Sequence, residues 1–177
     1  MIWVTSVLLK EYDPLWVSKF EADRTLISSA LGGRAKRIEH VGSTSIPGMQ
    51  AKPIIDIAVA VEAFLALDNN ISKLEEIGYE YVPKIEFPHR RFFRRGQWGA
   101  GTHHLHIYEL NSKDWNNIIL FRDYLREHPD TAREYMNLKQ RLASETSDRQ
   151  TYTDLKGPFI QLVIEKAKAC DNERRPS

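Results

Sequence analysis

HVGSTSIPGMQAKPIIDIAVAV, residues 40–61, decides how this chain is read. Its second half, Ile54 to Val61, is β-branched or small at nearly every position and is the strongest strand signal in the sequence. Alternation puts Ile55, Ile57, Val59 and Val61 on one face and Ile54, Asp56, Ala58 and Ala60 on the other. The first face is core. The second is small-sided and carries one carboxylate inside an otherwise apolar strand. A charge there is kept only when it is paired, hydrogen-bonded or bound to metal. Asp56 therefore either bonds amides of the loop before it or serves as an acid in a cleft. That loop, Gly42-Ser43-Thr44-Ser45, sets a glycine and three hydroxyls directly after a short strand, Arg37 to Val41. Such a segment offers N–H groups and hydroxyls to phosphate oxygens, although most Gly/Ser loops are only loops. No Gly-Lys-Ser/Thr follows, so this is not a Walker A loop.

Upstream, Ile2 to Leu9 reads as a short β-run. Asp13 and Pro14 then open a helix that carries Trp16, Phe20, Ile27 and Leu31 near one face and ends at Gly32-Gly33. Downstream, a helix is expected from about Ala63 to Ile77, closed by Gly78. Tyr79 to Phe87 and Arg90 to Arg95 read as two strands around a Pro88-His89 turn. Gly96 to Gly101 reads as a loop and His103 to Leu110 as a further strand. From Ser112 the chain turns helical: Trp115 to Glu127, Asp130 to about Ser144, and Thr151 to Cys170. Gly157-Pro158 forces the third of these to start, stop or kink. The tail, DNERRPS, is expected to fray. The sum is one α+β domain over residues 1–177. It has a mixed sheet of about five strands, flanking helices, and a three-helix C-terminal part at about 112–170.

Composition narrows the function. The 177 residues are 42% hydrophobic and 28% charged, with 25 Lys+Arg against 24 Asp+Glu and a net charge of +1. That balance speaks against general nucleic-acid binding and against a polybasic membrane binder, while leaving room for a local basic pocket. No apolar run approaches the length of a membrane span. One cysteine, Cys170, excludes an intramolecular disulfide and a Cys-rich zinc module. The stretch MIWVTSVLLKEYDPLW has no basic leader region, so no signal peptide is read and the cytoplasm is the expected location.

Three further groups of residues carry chemistry. His104, His106 and Tyr108 share one strand face. Two histidines at i and i+2 reach one metal ion if a carboxylate joins them, and Asp56 does so if the two strands are neighbours. His40 is a fourth candidate. Without a metal, such histidines are more often surface or hydrogen-bonded groups. In Arg90-Arg91-Phe92-Phe93-Arg94-Arg95, Arg90 and Arg94 face one way and Arg91 and Arg95 the other. The arginines of one face converge on a phosphate, or they guard a solvated sheet edge. Lys52, just before the Asp56 strand, is placed to meet an anion. Tyr152 and Lys156, four apart on a helix, read as a solvated face.

The segments YDPLW (12–16), HVGSTSIPG (40–48), AKPIIDIAV (51–59), HHLHIYE (103–109), FRDYLREHPDTAREYMNLK (121–139) and YTDLKGPFI (152–160) together resemble the GrpB family, in the same order and through nearly the whole chain. The resemblance implies a nucleotidyltransferase-like, polymerase-β-like fold; some relatives are fused to dephospho-CoA kinase. The superfamily pattern is a Gly-Gly or Gly-Ser after a strand, about a dozen residues, and then two acids two apart on the next strand. Gly42-Ser43 and Asp56 match it, with residues 44–55 between them. Ala58 stands where the second acid belongs, and a third acid is no clearer, Glu109 and Glu86 being the candidates. The resemblance thus implies a transfer from a nucleoside triphosphate to a small acceptor. Asp56 would be the catalytic acid. Gly42, Ser43, Thr44, Ser45, Lys52, Arg90 and Arg94 would hold the nucleotide or another phosphorylated small molecule. A divalent metal (Mg, Mn or Zn) would sit on Asp56, His104 and His106. The alternatives are a non-catalytic nucleotide- or metabolite-binding module of the same fold and a metal-dependent hydrolase.

Overall fold

The computed structural model describes residues 8–97 and 100–174. Strands β1 (Arg37–Val41), β2 (Ile55–Val61), β3 (Glu80–Tyr81), β4 (Arg91–Gln97) and β5 (Ala100–Glu109) form one sheet in the order β1-β2-β5-β4-β3. The central pair, β2 and β5, is parallel and the other pairs are antiparallel, so the sheet is mixed. The α-helices are α1 (Leu15–Leu31), α2 (Ile71–Glu76), α3 (Lys113–Glu127), α4 (Pro129–Glu145) and α5 (Arg149–Arg174). This is the α+β class with a helical C-terminal part that the sequence implies.

The two faces of β2 meet different surroundings, as the alternation requires. Ile55, Ile57, Val59 and Val61 join Leu105, Ile107 and Phe93 in a core that α1 closes with Trp16, Phe20, Ile27 and Leu31. Each such side chain contributes roughly 1.5–3 kcal/mol by leaving water. On the other face Ala58 and Ala60 join Val41, Tyr108 and Trp115 of α3. Helix α1 starts where Asp13 accepts the N–H of Leu15 at 2.9 Å. It also carries a buried acid, Asp23, which grips Arg95 of β4 through both guanidinium nitrogens at 2.6 and 2.7 Å. His103 of β5 lies 2.7 Å from the same carboxylate, and the Tyr79 hydroxyl donates to it at 3.2 Å. Burial opposes ionisation of Asp23, but His103 and Arg95 outweigh it and hold the carboxyl below its usual range.

Several elements depart from the sequence expectation. The helix expected over residues 63–77 splits into a 3-10 turn, Phe64–Leu67, and α2. Buried Asn70 sits between them and donates its amide to the Ala30 carbonyl, tying the break to α1. The strand expected at 79–87 is only β3; Pro83 and Pro88 cannot donate to a ladder, and residues 82–90 are irregular. The stretch 96–101 contributes to a hairpin rather than a loop, with Gly96 paired to Gly101 and Gln97 to Ala100. Gly96 takes φ +103° at the bulge, where a Cβ would lie 2.9 Å from the Thr102 nitrogen. Helix α5 runs unbroken past Gly157-Pro158. Phe159, Ile160 and Val163 pack there with Phe121, Leu125 and Tyr135, which offsets a proline penalty of about 3 kcal/mol. Of the β-run expected at 2–9, residues 2–7 lie outside the described residues, as do residues 175–177 of the tail; Lys10 bridges to Ala51. Among the described residues no helix is long and apolar enough to cross a membrane.

Two stability predictions arise from buried charges. His40 stacks on Phe20 with ring centroids 4.8 Å apart, and burial, only partly opposed by Asp56, pushes its pKa down to about 4. Below pH ~6.5 the unfolded chain takes up a proton that the folded chain refuses, so stability falls as pH drops. At ~1.4 kcal/mol per unit the loss reaches about 2–3 kcal/mol between pH 6.5 and 4.5. Urea unfolding of His40→Gln should show a flatter pH dependence by that amount; parallel slopes would refute it. Asp23→Ala strands Arg95 and His103 without their partner and should cost about 3 kcal/mol at pH 7, against under ~1 kcal/mol for a solvated pair.

Candidate functional site

The site begins at the end of β1. Val41 is the register partner of Asp56, so Gly42 leaves the strand directly beside that carboxylate. Gly42 has φ +69°, and a Cβ there would lie 2.4 Å from Asp56 Oδ2 and 2.9 Å from its Cβ. Glycine is required both by the backbone and by the approach. Ser43–Ser45 then make one 3-10 turn. The Ser45 hydroxyl donates to the Gly42 carbonyl at 2.6 Å, and Thr44 donates to the Ile54 carbonyl at 3.2 Å and meets His40 Nε2 at 3.0 Å. Thr44 and Ser45 are buried and hold the turn together. Ser43 lines a cavity together with Tyr135.

The parallel register sets Asp56 opposite His104 and Ala58 opposite His106. Asp56 Oδ1 lies 3.3 Å from His104 Nδ1 and 3.7 Å from His106 Nε2. Ligand bonds of ~2.0–2.1 Å in a tetrahedral arrangement separate two donors by about 3.3 Å, and one donor atom from each of the three residues lies within 4.8 Å of the others, close enough for small side-chain shifts to let them share an ion. Among the described residues these three form the one cluster of His, Cys, Asp and Glu side chains with that spacing. Burial would raise the Asp56 pKa, but hydrogen bonds and charge from His104 and His106 reverse it and hold the carboxyl well below its usual range. Burial pushes His106 down, against the pull of Asp56. An ionised carboxylate beside a neutral imidazole is the protonation a divalent ion needs. Phe92 flanks both histidines, with ring centroids 5.2 and 5.1 Å away. Glu109 turns away to accept the Phe64 N–H at 3.3 Å, Glu86 is exposed, and Ala58 is fully buried. His40 packs against Phe20 in the other layer and does not join the cluster.

Gly42, Asp56, Phe121 and Tyr135 separate two lobes of a cleft between the sheet and α3–α5. The larger cavity, about 430 Å³, is walled by Phe87, Tyr108, Ile118 and Ile160 and carries Arg90, Asp114 and Asn117. The smaller, about 120 Å³, is lined by Ser43 and Lys156. Tyr152 holds the Lys52 and Lys156 ammoniums each 4.5 Å from its ring centroid. Burial, then Lys52, pushes Lys156 down to about 8; burial, then Lys156, pushes Lys139 down to about 7. Lys139 donates to the Gln50 carbonyl.

The arginines separate as strand alternation demands. Arg90 enters the larger lobe, with its guanidinium 4.5 Å from the Phe87 ring. Arg94 shares the His104 side but bonds Glu80 at 2.7 and 3.0 Å. Arg95 serves Asp23, and Arg91 covers the Phe64 ring at 4.2 Å. Tyr152 is buried rather than solvated, because the packed face of α5 begins there, and Lys156 follows it into the cleft. Asn117, Tyr135 and Lys139 carried no motif. Only the fold brings α3, α4 and α5 over the Gly42 turn.

The model of the family described as GrpB protein matches residues 6–166. A crystal structure of the conserved protein GrpB from Enterococcus faecalis is 37% identical, covers 90% of this chain and 96% of that one, and superposes with a TM-score of 0.83. UPF0157 protein PA4798 of Pseudomonas aeruginosa is 38% identical over 89% of this chain. The chain spans 66% of that relative and 46% of YqkA of Bacillus subtilis. The Cid1 poly(U) polymerase is 16% identical, with a TM-score of 0.51 over 77% of this chain and 44% of that one, a likeness of fold. A match over this span means that the chain belongs to the GrpB family.

Proposed function

We propose that this chain transfers a nucleotidyl group from a nucleoside triphosphate to a small acceptor, at one divalent metal held by Asp56, His104 and His106. The observation that carries the reading is the Asp56 carboxylate, pressed on the Gly42-Ser43 turn and 3.3 and 3.7 Å from two imidazoles. A metal ligand set there adjoins a phosphate-type cradle with lysines on its far side. Bound metal would supply charge neutralisation at the reacting phosphate. With imidazole in the set, Mn²⁺ or Zn²⁺ suits the site better than Mg²⁺. Ser43 and the turn amides hold phosphate oxygens. Lys156 and Lys52 take the charge of the departing pyrophosphate as the α–β anhydride bond breaks and the acceptor oxygen bonds to the α-phosphorus. The acceptor proton goes to solvent. A second reading, hydrolysis, has one observation in its favour: buried Ala58 leaves the strand with a single carboxylate, which suits one ion and an activated water.

Three measurements test these readings. Incubation with each ribonucleoside triphosphate, Mn²⁺ or Zn²⁺ and a pool of small hydroxyl acceptors should release pyrophosphate with a nucleotidylated product, resolved by phosphorus NMR. Pyrophosphate with free nucleoside monophosphate would select hydrolysis, and no turnover with any metal would sink both enzymatic readings. Titrated with Zn²⁺ and Mn²⁺, Asp56→Ala and His106→Ala should bind at least about tenfold more weakly than wild type. Equal binding in all three proteins would discard the metal site. Affinity in the wild type should fall as pH drops below the ordinary imidazole range, because the proton competes for His106, which burial holds below its usual value. Gly42→Ala should displace the Asp56 carboxylate, weaken metal binding by a similar factor and lower stability by about 1–3 kcal/mol through the strained positive φ. Unchanged metal affinity would show that the Gly42 contact does not hold Asp56 in place.

A further inference from the structure

Three buried polar side-chain atoms among the described residues have no hydrogen-bond partner: Arg90 Nε, His106 Nδ1 and Asn117 Oδ1. All three residues line the larger lobe of the cleft. Unpaired buried polar atoms each cost free energy, and three converging on one cavity mark a place where a ligand completes the bonding. Their chemistry is mixed. Arg90 Nε is a donor and Asn117 Oδ1 an acceptor. His106 turns Nε2 to Asp56, so Nδ1 is the nitrogen left for the lobe. The surrounding wall is apolar and aromatic: Phe87, Tyr108, Phe121 and Ile118. An inorganic anion gains nothing from such walls. A sugar hydroxyl cluster would leave them dry and unpaired.

We propose that the larger lobe is a nucleobase subsite, in which Asn117 and Arg90 read the donor and acceptor edge of a planar heteroaromatic ring packed among Phe87, Phe121 and Tyr108. The assignment rests on the phosphate-and-metal reading of Asp56 and deepens it by fixing which end of the ligand lies where. The two lobes share Gly42, Asp56, Phe121 and Tyr135. A nucleotide with its ring in the larger lobe therefore runs its phosphates past Asp56 toward Ser43 and Lys156. The cavity of about 430 Å³ is in the range of small-molecule sites and has room for a nucleoside. Arg90 is preorganised for this task, because its guanidinium rests on the Phe87 ring at 4.5 Å. Asn117 and Arg90 are then specificity-determining residues, and Lys156 is indifferent to the base.

The test compares tripolyphosphate with ATP, GTP, CTP and UTP by calorimetric titration in the presence of Mn²⁺. At least one nucleotide should bind the wild type about tenfold or more tightly than tripolyphosphate. Asn117→Leu keeps the volume and removes the acceptor; it should lower affinity for that nucleotide about tenfold and leave tripolyphosphate unchanged. Arg90→Met should reduce the preference among the four bases. Tripolyphosphate binding by each variant also reports that it has folded. If tripolyphosphate binds as tightly as every nucleotide, or if Asn117→Leu weakens both ligands equally, the base subsite is wrong while the phosphate-and-metal reading stands. If tripolyphosphate itself does not bind, that reading fails and the subsite falls with it.

Discussion

A missing methyl group at Gly42 lets the end of β1 close to contact with the Asp56 side chain, 2.4 Å from where a Cβ would sit to Oδ2. That contact fixes the carboxylate at the seam between the turn and the sheet. It also explains the chain's order of events. β1 stops at Val41, where the positive φ of Gly42 turns the chain out of the ladder. The turn must curl at once, and the Ser45 hydroxyl closes it on the Gly42 carbonyl. Everything assigned to the cleft, from the histidine pair to Lys156, is placed relative to this seam.

The same strands support two charge clusters of opposite character, one on each face. His103 and His104 are consecutive on β5, yet one joins Asp23, Arg95 and Tyr79 while the other joins Asp56. The first cluster is closed: Asp23 is buried and its acceptors meet a guanidinium, an imidazole and a phenol. The second is open: Asp56 keeps about a quarter of its side-chain surface accessible, and His106 Nδ1 has no partner. A closed cluster holds α1 to the sheet. An open one has valence left for a ligand. Register alone decides which histidine does which.

The parts of the site that lie on strands were legible in the sequence, because a period of two is a local rule. It set Asp56 against the Val/Ile series of its own strand and His104 with His106 on one face of theirs, and the parallel pairing of β2 with β5 brings the two sets to one side. It also forced Arg90 apart from Arg91. What it did not say is how far each arginine reaches: Arg94 is drawn to Glu80 on neighbouring β3, a partner set by strand order. The helical side of the cleft was not legible for the same reason. Tyr135 and Lys156 line one cavity with Gly42 and Ser43 from about a hundred residues away in the chain, and helical periodicity tells buried from exposed without naming the neighbour. Tyr152 is the clearest case: Lys156, four residues on, makes its helix face look polar in the sequence, and only the fold brings Lys52 to the same ring. Breaks at Asn70 and the survival of α5 past Pro158 are likewise packing decisions that override local propensity.

The electrostatics of the smaller lobe give the arrangement its direction. Burial and then Lys52 depress Lys156, burial and then Lys156 depress Lys139, and burial and then Arg149 depress Lys52. Against them the lobe supplies one carboxylate, Asp56, which raises Lys156 but is already engaged with two histidines. Buried cations without matching carboxylates are costly, and a lobe that needed only stability would be better filled with apolar side chains. Tyr152 offsets part of that cost, with both ammoniums 4.5 Å from its ring centroid. A carboxylate from the chain would have closed the lobe as Asp23 closes the other face of the sheet. Among the described residues that line the smaller lobe Asp56 is the one carboxylate, and this imbalance beside Ser43 is the electrostatic ground on which the proposed phosphate site rests.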